Sequence, residues 1–108
     1  MEIKKAIRRD LKYYVNSHNN RHNQQLHYFA FLFALLGWIF LFINLWATLI
    51  FALLHYILSW VGHFYFEGNK PASFRYPWVG FYAGFIWFFV RTFELITNRE
   101  VLVRWVED

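Results

Sequence analysis

Residues 2 to 17 place Ile3, Ala6, Ile7, Leu11, Tyr14 and Val15 at helical spacing, with Lys4, Lys5, Arg8, Arg9 and Lys12 between them. This pattern predicts an amphipathic helix lying in a membrane interface. Asn16 through Gln25 is polar and rich in Asn, His and Gln, which reads either as a helix break or as a polar extension of the next span. No Lys, Arg, Asp or Glu then occurs from His22 to Phe66. That stretch is too long for one crossing, since a helix of roughly 20 residues covers a ~30 Å hydrocarbon core. Two spans are therefore expected, at 26–43 and 46–66, with a turn near Asn44, the one polar residue in that region.

The segment 67–77 sets Glu67, Lys70 and Arg75 among the breakers Gly68, Pro71 and Pro77 and reads as a loop. A third apolar stretch runs from Trp78 to Val90, about 20 Å of helix before Arg91. It crosses a membrane only if Arg91 and Glu94 snorkel or pair, and otherwise it is re-entrant or tilted in the interface. Residues 97–108 alternate apolar and charged positions, as a surface tail would. The expected fold is an all-α polytopic membrane helical bundle forming one domain over 1–108. Its parts are an interfacial segment (1–25), a transmembrane hairpin (26–66), a motif loop (67–77), a short third membrane helix (78–96) and the tail.

Composition agrees: 58% of the residues are hydrophobic and 25% aromatic, which together with the charge-free stretch predicts an integral membrane protein in contact with the lipid bilayer. A signal peptide ahead of a soluble domain does not fit, because apolar sequence continues almost to the end. The net charge of +4 is concentrated at the N-terminus, in Lys4, Lys5, Arg8, Arg9, Lys12 and Arg21. We read it as a topological signal and expect no nucleic-acid partner. The positive-inside rule puts the N-terminus in the cytoplasm, and a hairpin returns Lys70 and Arg75 to the same side. The host membrane would be a bacterial inner membrane or, in a eukaryote, the endoplasmic reticulum.

With no cysteine in the chain, any metal must be held by nitrogen and oxygen donors, which excludes iron–sulfur clusters and thiolate zinc sites. The candidates are His18, His22, His27, His55, His63 and the carboxylates. His63 and Glu67 stand i, i+4 where an apolar helix meets water, a spacing that lets both reach one ion. The plainer reading of that pair is an interfacial histidine and a snorkelling glutamate. Hairpin topology stacks His18, His22 and His27 at the same membrane face as His63 and Glu67, which favours a site. His22 reads equally as a ligand or a surface residue. His55, eight residues before His63 and about 12 Å deeper, reads as a packing residue, a supporting group or part of a second site.

The pattern Tyr14-x3-His18-x4-Asn23-x3-His27, together with Trp60-Val61-Gly62-His63-Phe64-Tyr65-Phe66-Glu67-x3-Pro71-Ala72 and Phe74-Arg75-Tyr76-Pro77, resembles the small multi-span family of fungal 2-hydroxy fatty acid dioxygenases and its bacterial relatives. The resemblance implies an Fe(II)-dependent oxygenase that shortens a long-chain 2-hydroxy fatty acid by one carbon with O2. It implies His18, His27 and His63 as ligands, with Glu67 as a fourth ligand or as the orienter of a histidine. Asn23 and Glu67 become candidate catalytic residues, and Lys70 or Arg75 would pair with the substrate carboxylate at headgroup level. Tyr14 and Trp60 read equally as interfacial anchors. Gly84 departs from the pattern, since bacterial relatives carry Asp there, and His55 has no counterpart in it. The competing expectation is a non-catalytic membrane or lipid-binding protein with a structural histidine metal site. Self-association into a homo-oligomer is compatible with either.

Overall fold

The computed structural model describes residues 2–70 and 76–103. Every regular element among them is helical, in the order α1 (Glu2–Asn16), α2 (Arg21–Phe40), α3 (Leu45–Val61), a π-helical turn (Gly62–Glu67) that continues α3, and α4 (Pro77–Thr97). The chain divides into two compact units, one comprising Met1–Ser17 and Ala72–Asp108 and the other His18–Pro71. Arg75, expected to bind substrate, and Pro71 lie outside the described residues, as does the end of the tail.

In the first unit α1 packs on α4. The face of α1 that turns inward carries Asp10, Leu11 and Tyr14. Asp10 is a buried carboxylate that the periodicity of α1 does not mark, because a charged residue on an amphipathic helix is expected to face water. Its oxygens accept a hydrogen bond from the Tyr82 hydroxyl of α4 and one from Arg9 Nε at 3.1 Å. Tyr14 is buried and lies tilted against Trp87, their ring centroids 5.9 Å apart, so it is a packing residue and not an interfacial anchor. Burial pushes its hydroxyl well above the usual tyrosine range. Tyr13, the preceding residue, sets its ring edge-on to Tyr76 at 5.8 Å.

α4 runs past the apolar stretch 78–90 because its two charged residues pair: Arg91 Nη1 donates to Glu94 Oε1 at 3.0 Å. The other Glu94 oxygen accepts from the backbone N–H groups of Val101 and Leu102, at 2.7 and 2.9 Å. Glu94 thereby ties the start of the tail back to its own helix. Asn98, in the left-handed conformation at φ 58°, ends the helix.

In the second unit α2 and α3 form an antiparallel hairpin. Asn44 makes the turn sharp, since its side chain accepts from Trp46 N and Ala47 N and so caps α3. Asn20 does the same for α2 through His22 N and Asn23 N, so the polar segment 21–25 is the first part of this helix rather than a break. The buried seam of α2 includes Asn23, His27, Ala30, Ala34 and Gly37. These residues alternate four and three apart, the spacing of a helix–helix seam, and their small members let the backbones approach.

Two polar side chains of α3 fasten that seam. Thr48 Oγ1 donates to Gly37 O at 2.8 Å, and His55 Nδ1 donates to Ala30 O at 2.8 Å. Hydrogen bonds of this kind between apolar helices contribute about 0.6 kcal/mol each. His55 is therefore a buried staple between the two helices, with its ring edge-on to Phe31 at 4.9 Å.

Two helical stretches, Leu45–Glu67 and Trp78–Thr97, are long and apolar enough to cross a membrane. The first span expected at 26–43 is not one of them. α2 ends at Phe40, and its opening turns hold Arg21, His22, Asn23, Gln24 and Gln25, which leaves too short an apolar run.

The glycines of the hairpin differ in the space around them. A Cβ on Gly37 would meet Phe51 Cβ at 3.5 Å and Thr48 O at 3.7 Å, which is ordinary contact. One on Gly62 would sit 1.9 Å from Asn23 Oδ1 and 3.3 Å from His27 Cε1. Gly37→Ala is expected to change stability by no more than about 0.5 kcal/mol. Gly62→Ala should cost about 1–3 kcal/mol, because the Asn23 amide must be displaced. Thermal unfolding of the detergent-solubilised protein reads the contrast, and equal effects at the two positions would contradict the close approach at Gly62.

Candidate metal centre

Three short pieces of chain meet at the open end of the α2–α3 hairpin. The loop before α2 carries His18, whose carbonyl oxygen accepts from Gln24 Nε2 at 2.6 Å, so the first turns of α2 hold the loop in place. α2 supplies Asn23 and His27, one turn apart on its buried side. The π-helical turn supplies His63 at its second position and Glu67 at its last.

His18, His27 and His63 are all buried, and one ring nitrogen from each lies within 4.8 Å of the others. Their ring centroids form a nearly equilateral triangle with sides of 4.3, 4.5 and 4.6 Å. The rings stand edge to face, at 77°, 67° and 81° to one another.

Carbonyl oxygens set the tautomers of two of these rings. His27 Nδ1 donates to Asn23 O one turn back at 3.0 Å, and His63 Nδ1 donates to Asn69 Oδ1 at 2.7 Å. A proton held on Nδ1 leaves Nε2 with its lone pair, which is the arrangement in which imidazole binds a metal. The donor set fits a borderline divalent ion such as Fe(II) or Zn(II), both of which accept imidazole nitrogen.

Glu67 is not in the group. Its Oε1 accepts from the backbone N–H of Asn20 and, at 3.3 Å, from Asn23 Nδ2. The segment Gly62–Glu67 is wound as a π-helix, closed by i→i+5 bonds, and Glu67 stands at its end, where the start of α2 engages its carboxylate. At the N-terminus of α2 its negative charge faces the positive end of the helix dipole, an interaction contributing about 0.3–2 kcal/mol.

Asn23 is fully buried between Glu67 and Gly62, with its amide group directed by the carboxylate. Among the described residues its Oδ1 has no hydrogen-bond partner. That oxygen faces Gly62, where a side chain of any size would collide with it. His22 is exposed, with its ring 5.3 Å from that of Phe66, and Lys70 is exposed on the segment after the turn. Neither belongs to the triangle. Trp60 is largely exposed and rests against Tyr56, their centroids 6.0 Å apart.

Sequence reasoning does not single out Asn69, Asn20 or Gln24. Asn69 falls among the three unspecified positions between Glu67 and Pro71 in the motif, so nothing there marked it as an acceptor for a histidine ring.

A family model described as 2-hydroxy-palmitic acid dioxygenase Mpo1-like matches residues 4–95. The chain belongs to the Mpo1-like family. The match spans α1 through most of α4 and includes all three histidines of the triangle, together with Asn23, Glu67 and Asn69. No curated protein and no solved structure matches the chain.

If the triangle is a metal centre, removal of one ring should leave an ion undercoordinated. Replacement of Glu67 by a neutral oxygen acceptor should leave all three rings in place. His27→Ala and His63→Ala are therefore expected to lose most of the bound metal, and Glu67→Gln to keep most of it. Elemental analysis of anaerobically purified protein measures this directly. Full occupancy in His63→Ala would remove that residue from the ligand set.

Proposed function

We propose that this Mpo1-like protein is a membrane-embedded, Fe(II)-dependent dioxygenase that shortens a long-chain 2-hydroxy fatty acid by one carbon. The observation that carries the reading is the buried triangle of His18, His27 and His63 in a chain of this family. Three imidazoles with no fourth protein ligand among the described residues suit a catalytic centre better than a closed structural site, which is normally four-coordinate. Fe(II) bound there would supply the redox chemistry with O2 and open positions for the carboxylate and hydroxyl of the substrate.

The remaining work falls to the protein's own side chains. Asn23 O and Asn69 Oδ1 hold Nδ1–H of His27 and His63, so that both rings present the same nitrogen inward. Glu67 holds the Asn20 backbone and the Asn23 amide, which anchors the start of α2 and with it the spacing between His18 and His27. Asn23, fully buried against Gly62, supports the site from behind: its backbone carbonyl holds the His27 ring and its amide nitrogen bonds Glu67. Lys70, and Arg75 beyond the described residues, are the cations available to a fatty-acid carboxylate at the membrane edge. The alkyl chain would lie along the exposed apolar faces of the helices, where Leu49, Leu53, Tyr56 and Ile57 face outward.

The assay compares a long-chain 2-hydroxy acid with the unsubstituted acid and the 3-hydroxy isomer, following O2 uptake and the acid shortened by one carbon. Only the 2-hydroxy acid should react, because only it places hydroxyl and carboxylate on adjacent carbons. Equal turnover of all three, or turnover that survives complete iron removal, would refute the proposed reaction.

The membrane reading predicts that the open end of the hairpin faces the cytoplasm, with Arg21 and Lys70 on one side. Since the chain has no cysteine, Arg21→Cys and Lys70→Cys can each be labelled with a membrane-impermeant maleimide in sealed vesicles. Both should react from the cytoplasmic side, and labelling from opposite sides would be incompatible with a hairpin in the bilayer.

A further inference from the structure

The π-helical turn closes on itself in a way that joins His63 to Asn69 twice. At its end Gly68 takes the left-handed conformation, at φ 71° and ψ 24°, and donates its backbone N–H to His63 O. The backbone N–H of Asn69 reaches the same carbonyl at 3.1 Å, while Asn69 Oδ1 accepts from His63 Nδ1 at 2.7 Å. The main chain of His63 thus fixes where Asn69 begins, and the side chain of Asn69 fixes where the His63 ring ends. Glycine suits position 68 because an L side chain there would be strained. π-Helical turns occur disproportionately at functional sites, and here the turn ends where the chain reverses onto the ring of a candidate ligand.

His27 needs no such device, since its ring is held by a carbonyl of its own helix one turn back. At His63 the partner comes from six residues further along the chain, beyond the helix end.

We propose that Asn69 is the positioning residue of the histidine triangle. It acts as an acceptor toward His63 Nδ1–H, thereby selecting the tautomer and orientation in which Nε2 is free for the metal. The inference rests on the metal reading of the triangle, but the tautomer itself exists with or without an ion. The opposite orientation of the amide would donate to Nδ1 and leave a proton on Nε2, which could not then be a ligand.

The test uses the full chain in detergent micelles, with Asn69→Ala and Asn69→Asp variants and Co(II) as the probe ion. Co(II) titration followed by visible absorbance should show affinity weakened about 10–100-fold in Asn69→Ala, the usual effect of removing a hydrogen-bond partner of a ligand. Asn69→Asp should restore it, because a carboxylate can accept the ring proton but not donate one. Long-range 1H–15N NMR of the metal-free protein should show His63 protonated at Nδ1 in the wild type and in Asn69→Asp. Asn69→Ala should move the ring toward the Nε2–H tautomer, a change that a merely structural role for Asn69 would not produce.

Wild-type affinity in Asn69→Ala, or a wild-type ring already protonated at Nε2, would overturn the proposal. If the wild type took up no metal while Asn69 still controlled the tautomer, the dioxygenase reading would fail and the orienting role of Asn69 would stand.

Discussion

The site depends on how closely the start of α2 approaches the end of α3. Gly62 and Asn23 meet so tightly that a single added methyl group would lie 1.9 Å from the Asn23 amide oxygen. This contact brings His63, the next residue after Gly62, to the level of His27, one turn after Asn23. The small residues Ala30, Ala34 and Gly37 continue the close approach along α2, and the bonds from Thr48 and His55 keep the helices from sliding past one another. Close packing of small residues and these polar staples join the two helices of the hairpin.

The polar groups buried in this hairpin are engaged in different ways, which separate structure from chemistry. His55 and Thr48 donate across the hairpin to backbone carbonyls and serve as fasteners. Glu67 satisfies the N-terminus of α2 and the Asn23 amide. The three histidines of the triangle instead turn ring nitrogens toward one another. Three imidazole nitrogens so clustered are an arrangement that one shared cation could join.

The other unit satisfies its buried charges for different ends. Asp10, buried on α1, is held by Tyr82 and Arg9, and Glu94, buried on α4, is held by Arg91 and the backbone of the tail. Both carboxylates are engaged in joining one segment to another, which explains how charged residues are accommodated on helices whose other faces are apolar.

The hydropathy pattern was sufficient to place the turn at Asn44, the amphipathic α1 and the helical nature of 78–96, since these depend on local periodicity and on one capping residue. It also placed His18 and His27 at the same hairpin end as His63, because a charge-free stretch of that length has to fold back on itself. The extent of α2 was less legible, since Asn20 could be recognised as a cap only once its bonds to His22 N and Asn23 N were seen. The family resemblance already named His18, His27 and His63 out of the five histidines; their convergence was decided by tertiary structure, through the register between α2 and α3. So were the engagement of Glu67 by the start of α2 and the pairing of Asn69 with His63, because both bonds depend on how the chain folds back beyond the helix end. Periodicity reports which face of a helix is apolar. Only packing fixes how far one helix is shifted and rotated against the next, and the convergence of the three histidines depends on that shift.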